Sequence, residues 1–143
     1  MSLKFTVVTA VFNAEDVIEK TIKSVLNQTY TPYEYLIIDG KSSDKTVEII
    51  RKYSKHFEEK NITLKIVSEK DNGIYNAMNK GIDLAEGDFI SFLNAGDWYE
   101  LDALENINKF YEEDRFDLTY GGLHYVNPNG TITNKMSKND EKG

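Results

Sequence analysis

Four short polar stretches carry most of the side chains that could do chemistry. They are TAVFN at 9–13, DGKSSD at 39–44, SEKDNG at 68–73 and NAGD at 94–97. Three of them hold a carboxylate, and their other polar groups are mainly amides and hydroxyls. Such oxygen-rich sets suit hydrogen bonding to a polar ligand and coordination of a hard divalent cation. They do not suit thiolate chemistry, because the chain has no cysteine. A histidine-rich metal centre is also disfavoured, since His56 and His124 lie far apart in sequence. The chain has no G-x-G-x-x-G fingerprint after its first apolar run, no G-x-x-x-x-G-K-[ST] phosphate loop and no G-x-S-x-G elbow.

Each candidate also has a structural reading. Asn13 is placed to cap a helix from Ala14, with Asp16 in its first turn, and capping is compatible with ligand contact. Asp44 is placed to cap the next helix. Asp71-Asn72-Gly73 has the chemistry of a turn. Asp102, followed by Glu105, reads as a variant capping box and stays outside the site. Asp39 differs. It ends the apolar run 35–38, five residues before the next helix, so a half-buried carboxylate is expected there, in need of a partner. Asp97 follows two residues without bulk, which suits a metal or a diphosphate. A ligand role for Asp39 predicts that Asp39→Ala weakens ligand binding and leaves the fold intact.

The elements that must position these residues alternate in period. Apolar runs at 5–8, 33–38, 64–67 and 89–93 read as strands, and 118–120 starts a fifth. Helical faces recur between them: Ile18, Ile22, Val25 and Leu26; Val47, Ile50, Tyr53 and Phe57; Ile74, Met78, Ile82 and Ala85; Leu101, Leu104, Ile107 and Tyr111. Residues 127–130 read as a hairpin turn. Strand alternating with helix predicts an α/β domain, a mostly parallel sheet with helices on both faces. One domain is expected over residues 1–134, with 135–143 a disordered polar tail. In such a sheet ligands bind beyond the C-terminal ends of the strands, which is where all four polar stretches fall.

Composition narrows the ligand. The 143 residues are 40% hydrophobic and 29% charged, ordinary for a globular domain, with a net charge of −7. That charge argues against a nucleic-acid partner. A phosphate ligand would need a divalent cation, a helix N-terminus or backbone amides to neutralise it. With no signal-peptide pattern at MSLKFTVV and no long apolar run, a cytoplasmic location is expected.

In order along the chain, the stretches TVVTAVFNAEDVIEKTIKSVLNQTY, YEYLIIDGKSSDKTVEII and SEKDNGIYNAMNKGIDLAEGDFISFLNAGDWY resemble the inverting family 2 glycosyltransferases of the GT-A fold. The likeness runs from about residue 4 to 120. It includes the Ser-Val-Leu-x-Gln-Thr-Tyr run at 24–30 and the Asp-x-x-Ser-x-Asp-x-Thr loop of Asp39, Ser42, Asp44 and Thr46. It implies transfer of a sugar from a nucleoside-diphosphate sugar to an acceptor hydroxyl, in bacterial surface-polysaccharide synthesis. A saccharide or lipid-linked saccharide acceptor and peripheral association with the inner membrane follow by the same analogy. The resemblance implies that Thr9, Asn13, Asp39 and Ser42 bind the donor, with Thr9 and Asp39 at the base. Glu69 and Asn72 border the donor, Asn94 meets the ribose, and Asp97 holds Mn²⁺ or Mg²⁺ on the diphosphate.

The chain departs from the family pattern in three places. Gly40 stands where a second aspartate is common. Asn94 and Gly96 stand where the metal loop usually carries aspartates. No residue matches the catalytic base, so the chain reads as the donor-binding part of a longer enzyme. The main rival is a non-catalytic nucleotide-sugar-binding or interaction domain. A nucleotidyltransferase is a further rival, although 9–13 lacks the glycine-rich basic loop of that class.

Overall fold

FTVVTAV is rich in β-branched residues that suit a strand, whose pleat sends successive side chains to opposite faces, and this run forms an interior strand of the sheet. The computed structural model describes residues 3–114, 124–126 and 132–134, with side chains through residue 112. The elements in order are β1 (Phe5–Val11), α1 (Ile18–Leu26), β2 (Glu34–Asp39), α2 (Thr46–Lys52), α3 (Ser54–Glu59), β3 (Thr63–Ser68), α4 (Ile74–Leu84), β4 (Phe89–Phe92), α5 (Ala103–Asp114), β5 (His124–Val126) and β6 (Ile132–Asn134). The first four strands form a parallel sheet of order β3-β2-β1-β4. β5 and β6 pair antiparallel as a separate ribbon. The expected α/β class and parallel sheet are present.

The sheet separates two apolar layers. Phe5, Val7, Val11, Tyr35 and Ile37 face a large core with Ile18, Ile22 and Val25 of α1, Ile50 of α2, Phe57 of α3 and Leu104 of α5. Val8, Leu36 and Ile38 face the other side, where Ala77 of α4 covers them. Full burial of each large aliphatic side chain contributes about 1.5–3 kcal/mol.

The helices differ from expectation in two ways. The second apolar helix divides at Tyr53 into α2 and α3. In α4 the stripe of Ile74, Met78 and Ile82 is not the buried face: Ile74 and Ile82 are exposed, while Ala77 and Gly81 are buried. Close approach explains this. A Cβ on Gly81 would lie 2.5 Å from Cγ1 of the buried Val8, so α4 sits on the sheet through its smallest residues. The expected strand at 118–120, the turn at 127–130 and the tail at 135–143 lie outside the described residues.

At the end of the sheet away from the polar loops, Glu34 is buried inside a hydrogen-bonded knot. Its Oε2 accepts from the Thr6 hydroxyl at 2.6 Å and the Glu86 amide at 2.5 Å. Lys65 Nζ lies 3.5 Å from its Oε1. Gly87 completes the knot, donating its amide to Thr6 Oγ1 at 2.9 Å.

Gly81→Ala should lower stability by about 1–3 kcal/mol, because the added methyl meets a stiff, enclosed valine. Urea unfolding should show a lower midpoint at unchanged slope.

Candidate functional site

Register brings three strand ends side by side. Val11 pairs with Asp39, and Asp39 with Ser68. β4 stops earlier, at the level of Val8, so the turn at 94–97 folds beside the end of β1. The four polar stretches therefore gather at one edge of the sheet.

Asp39 is the hub of three of them. It is fully buried rather than half-buried, and protein donors engage both of its oxygens. Oδ2 accepts from the Lys41 amide at 3.1 Å, the Ser42 amide at 3.0 Å and the Ser68 hydroxyl at 2.8 Å. Oδ1 accepts from the Ser42 hydroxyl at 2.5 Å. Ser42 Oγ in turn accepts from the Asn13 amide at 2.7 Å. One carboxylate thus organises the loops after β1, β2 and β3. A residue so placed is part of the fold, and this overturns the expectation that Asp39→Ala leaves the fold intact.

The first two loops are stitched further. Asn13 has a positive φ of 46°, and its Oδ1 accepts from the Ser43 amide at 2.8 Å. It does not cap α1, which starts only at Ile18 after a turn. The Thr46 hydroxyl accepts from the Ala14 amide at 2.8 Å. Asp44 lies one residue before the N-cap Lys45 and accepts from the Thr46 amide at 3.0 Å and the Glu15 amide at 3.2 Å. Burial alone would raise the Asp44 carboxyl. Hydrogen bonds from Thr46 and the Glu15 amide outweigh it and hold the pKa below its ordinary value.

Thr9 lies inside β1, not after it, because the strand runs to Val11. Its side chain is fully enclosed, and its hydroxyl shares a 2.7 Å hydrogen bond with the buried Tyr35 phenol. The whole residue is enclosed, so Thr9 presents no surface to a ligand in this structure. Phe12, three residues on, is 61% exposed at the strand end. In the third loop, Glu69 is exposed and pairs with Lys80 at 3.1 Å. Asn72 is also exposed, and its amide donates to Asn76 Oδ1 at 3.2 Å. Gly40 is buried beneath the Asp71 carboxylate from that loop.

The fourth loop is fixed by α1. The Thr21 hydroxyl donates to the Asp97 carbonyl at 2.7 Å and accepts from the Gly96 amide at 2.8 Å. Gly96 has φ +99°, a conformation that a side chain resists. One turn on, Ser24 Oγ accepts from the Tyr99 amide at 3.2 Å. Gln28 donates to the Glu100 carbonyl at 2.7 Å and accepts from the Leu104 amide at 3.0 Å. These contacts explain part of the Ser-Val-Leu-x-Gln-Thr-Tyr run: its polar members hold the segment that follows β4. Asn94 is exposed and Asp97 half-buried on the turn so formed.

Among the described residues, no three His, Cys, Asp or Glu side chains gather into a metal cage. Asp97 is the carboxylate carried by the turn at 94–97. No helix of the described residues is long and apolar enough to cross a membrane.

Sequence reading missed Thr21 and took Asp71 as part of a turn. The available signal for Thr21 was a polar residue within the buried face of an amphipathic helix, repeated at Ser24 and Gln28.

Residues 6–142 match the family Glycosyl transferase family 2, and the chain belongs to that family. Over 121 residues it is 34% identical to the PGL/p-HBAD biosynthesis glycosyltransferase of Mycobacterium bovis (strain BCG / Pasteur 1173P2), covering 83% of this chain and 46% of the relative. It is 31% identical over 130 residues to the poly(ribitol-phosphate) beta-glucosyltransferase of Bacillus spizizenii (strain ATCC 23059 / NRRL B-14472 / W23), covering 90% and 20%. The chain thus spans about half the length, or less, of these curated relatives. Among solved structures, S. aureus TarS 1-349 in complex with UDP superposes with a TM-score of 0.69 at 26% identity, covering 78% of this chain and 33% of that one. The GT-A fold and the family reading are thereby established.

Two substitutions test the hubs by urea unfolding. Asp39→Ala should cost more than about 2 kcal/mol, since it leaves several enclosed donors without an acceptor. Thr21→Val should cost about 1–3 kcal/mol by stranding the buried Gly96 amide, and Thr21→Ser should restore most of the loss.

Proposed function

We propose that this chain is the donor-binding part of a glycosyltransferase that moves a sugar from a nucleoside diphosphate to an acceptor hydroxyl with inversion. The observation that carries the reading is the pinned turn at 94–97. It combines a half-buried carboxylate and an exposed amide, on a turn held by Thr21, at the C-terminal edge of a parallel sheet. A diphosphate needs a partner for its charge, and an acidic protein supplies that partner most readily through a metal.

In this reading Asn94 meets the ribose and Asp97 holds Mn²⁺ or Mg²⁺ against the diphosphate. The exposed ring of Phe12 offers the base a stacking face. Thr9 lies beneath the base side, hydrogen-bonded to Tyr35. Asn13 and Ser42 shape the base side of the crevice, and Glu69 and Asn72 border it. The bound cation acts as a Lewis acid that stabilises the leaving nucleoside diphosphate. The acceptor is a saccharide or lipid-linked saccharide of a cell-surface polymer, reached at the cytoplasmic face of the inner membrane. Support for a nucleotide donor comes from the UDP carried by TarS, and support for a surface polymer from the ribitol-phosphate polymer named for the Bacillus relative.

Thermal-shift measurement with UDP, GDP and dTDP, each with and without Mn²⁺, tests the reading. A ligand at about 100 times its Kd adds about 2.7 kcal/mol and raises the melting temperature by several degrees. No shift with any of them would remove the proposal. Asp97→Asn should abolish the Mn²⁺-dependent increment and leave the metal-independent part nearly unchanged. An equal Mn²⁺ effect in both proteins would place the cation elsewhere.

A further inference from the structure

β3 ends the four-stranded sheet, and among the described residues no strand pairs with its outer side. We propose that two copies of this chain join there, β3 against β3, antiparallel about a two-fold axis, so that their sheets run into one. This does not rest on the donor-site reading. Natural sheets blunt an open edge with shortness, proline, a bulge or a projecting charge. β3 uses none of these. It is six residues long and pairs with β2 without a bulge from Thr63 to Ser68. It holds no proline, and its one charged residue, Lys65, is drawn to Glu34 at 3.5 Å and Glu86 at 3.9 Å.

Backbone alternation fixes what the edge offers. The Thr63 and Glu69 amides donate toward β2, to the Tyr33 and Asp39 carbonyls. By the two-residue period of a strand, Leu64 and Ile66 turn their amides and carbonyls the other way, outward. Setting Ile66 opposite Ile66 pairs Leu64 with Ser68 and Lys65 with Val67, and it uses the whole strand. Centring the pair on Lys65 instead would put like charges directly opposite, which is destabilising. Beside the edge, between the α2–α3 segment and β3, lies a groove of about 590 Å³ lined by Arg51, Ser54, Glu58, Ile62, Leu64 and Ile66. Arg51 and Glu58 are exposed, and neither is ion-paired among the described residues. One patch thus offers an apolar strip, open backbone groups and charges of both signs. It is self-complementary, as a two-fold interface requires, and Arg51 of each copy meets Glu58 of the other.

Sedimentation equilibrium of the full chain, from micromolar to near-millimolar concentration, should follow a monomer–dimer equilibrium. Arg51→Glu and Glu58→Arg change exposed side chains, and urea unfolding at dilution should confirm that both variants fold. Each variant sets like charges across the seam twice and should raise the dimer dissociation constant roughly tenfold or more. Mixed in equal amounts, the two variants restore both opposite-charge pairs, and a heterodimer should form with near wild-type affinity. Amide hydrogen exchange followed by nuclear magnetic resonance should slow at Leu64 and Ile66 as the wild type is concentrated. A wild type that stays monomeric over the whole range overturns the proposal. So does a dimer that both variants leave intact, or a mixture of the two that does not associate. A dimer in which Leu64 and Ile66 exchange as fast as in the monomer overturns it as well, and would place the contact away from this edge.

Discussion

A buried carboxylate at the end of β2 sets the shape of the site. Asp39 is removed from water, a position tolerable for a charge only when enough donors surround it. The chain supplies them from two loops, two amides and a hydroxyl from residues 41–42 and a hydroxyl from Ser68, and Ser42 relays the hold to Asn13. The consequence runs both ways. The loops stabilise the charge, and the charge fixes the loops relative to the sheet. Without it the ends of β1, β2 and β3 would still lie side by side, but residues 41, 42 and 68 would lose the acceptor that ties them together.

The fourth loop depends on a different device. α1 presents Ile18, Ile22, Val25 and Leu26 to the core and, within the same buried surface, Thr21 and Ser24 to the segment after β4, with Gln28 just past its end doing the same. The apolar residues seat the helix, and the polar ones then act as fixed brackets. Thr21 holds both an amide and a carbonyl of the turn at 94–97. A turn held in this way is preorganised, and a preorganised polar group loses less on binding a ligand than a flexible one does.

Much of the fold was legible in the sequence because strand and helix periods differ and the apolar runs follow them. The extent of β1 was not. TAV at 9–11 looks like the start of a loop by composition, yet Thr9 finds Tyr35 across the sheet and stays enclosed. The buried face of α4 was also hidden. Hydropathy points to Ile74 and Ile82, whereas steric fit against Val8 selects Ala77 and Gly81, and small residues carry no strong apolar signal. The gathering of polar loops was readable from strand order alone. Which carboxylates turn inward was not, since that depends on donors brought from distant loops. By spacing, Asp39 suits a ligand and Asp71 a turn. Asp39 proves to be enclosed among protein donors, and Asp71 sets its carboxylate over Gly40.

Amide-resolved nuclear magnetic resonance of the ¹⁵N-labelled chain, titrated with a nucleoside diphosphate and Mg²⁺, tests most directly the claim that ligand binds at this edge. The account predicts shifts concentrated at residues 12–14, 40–43, 71–73 and 94–97. Residues around Glu34, Lys65 and Gly87, at the opposite end of the strands, should stay unmoved. Shifts centred on that opposite end, or in the groove lined by Arg51, Glu58 and Leu64, would contradict it.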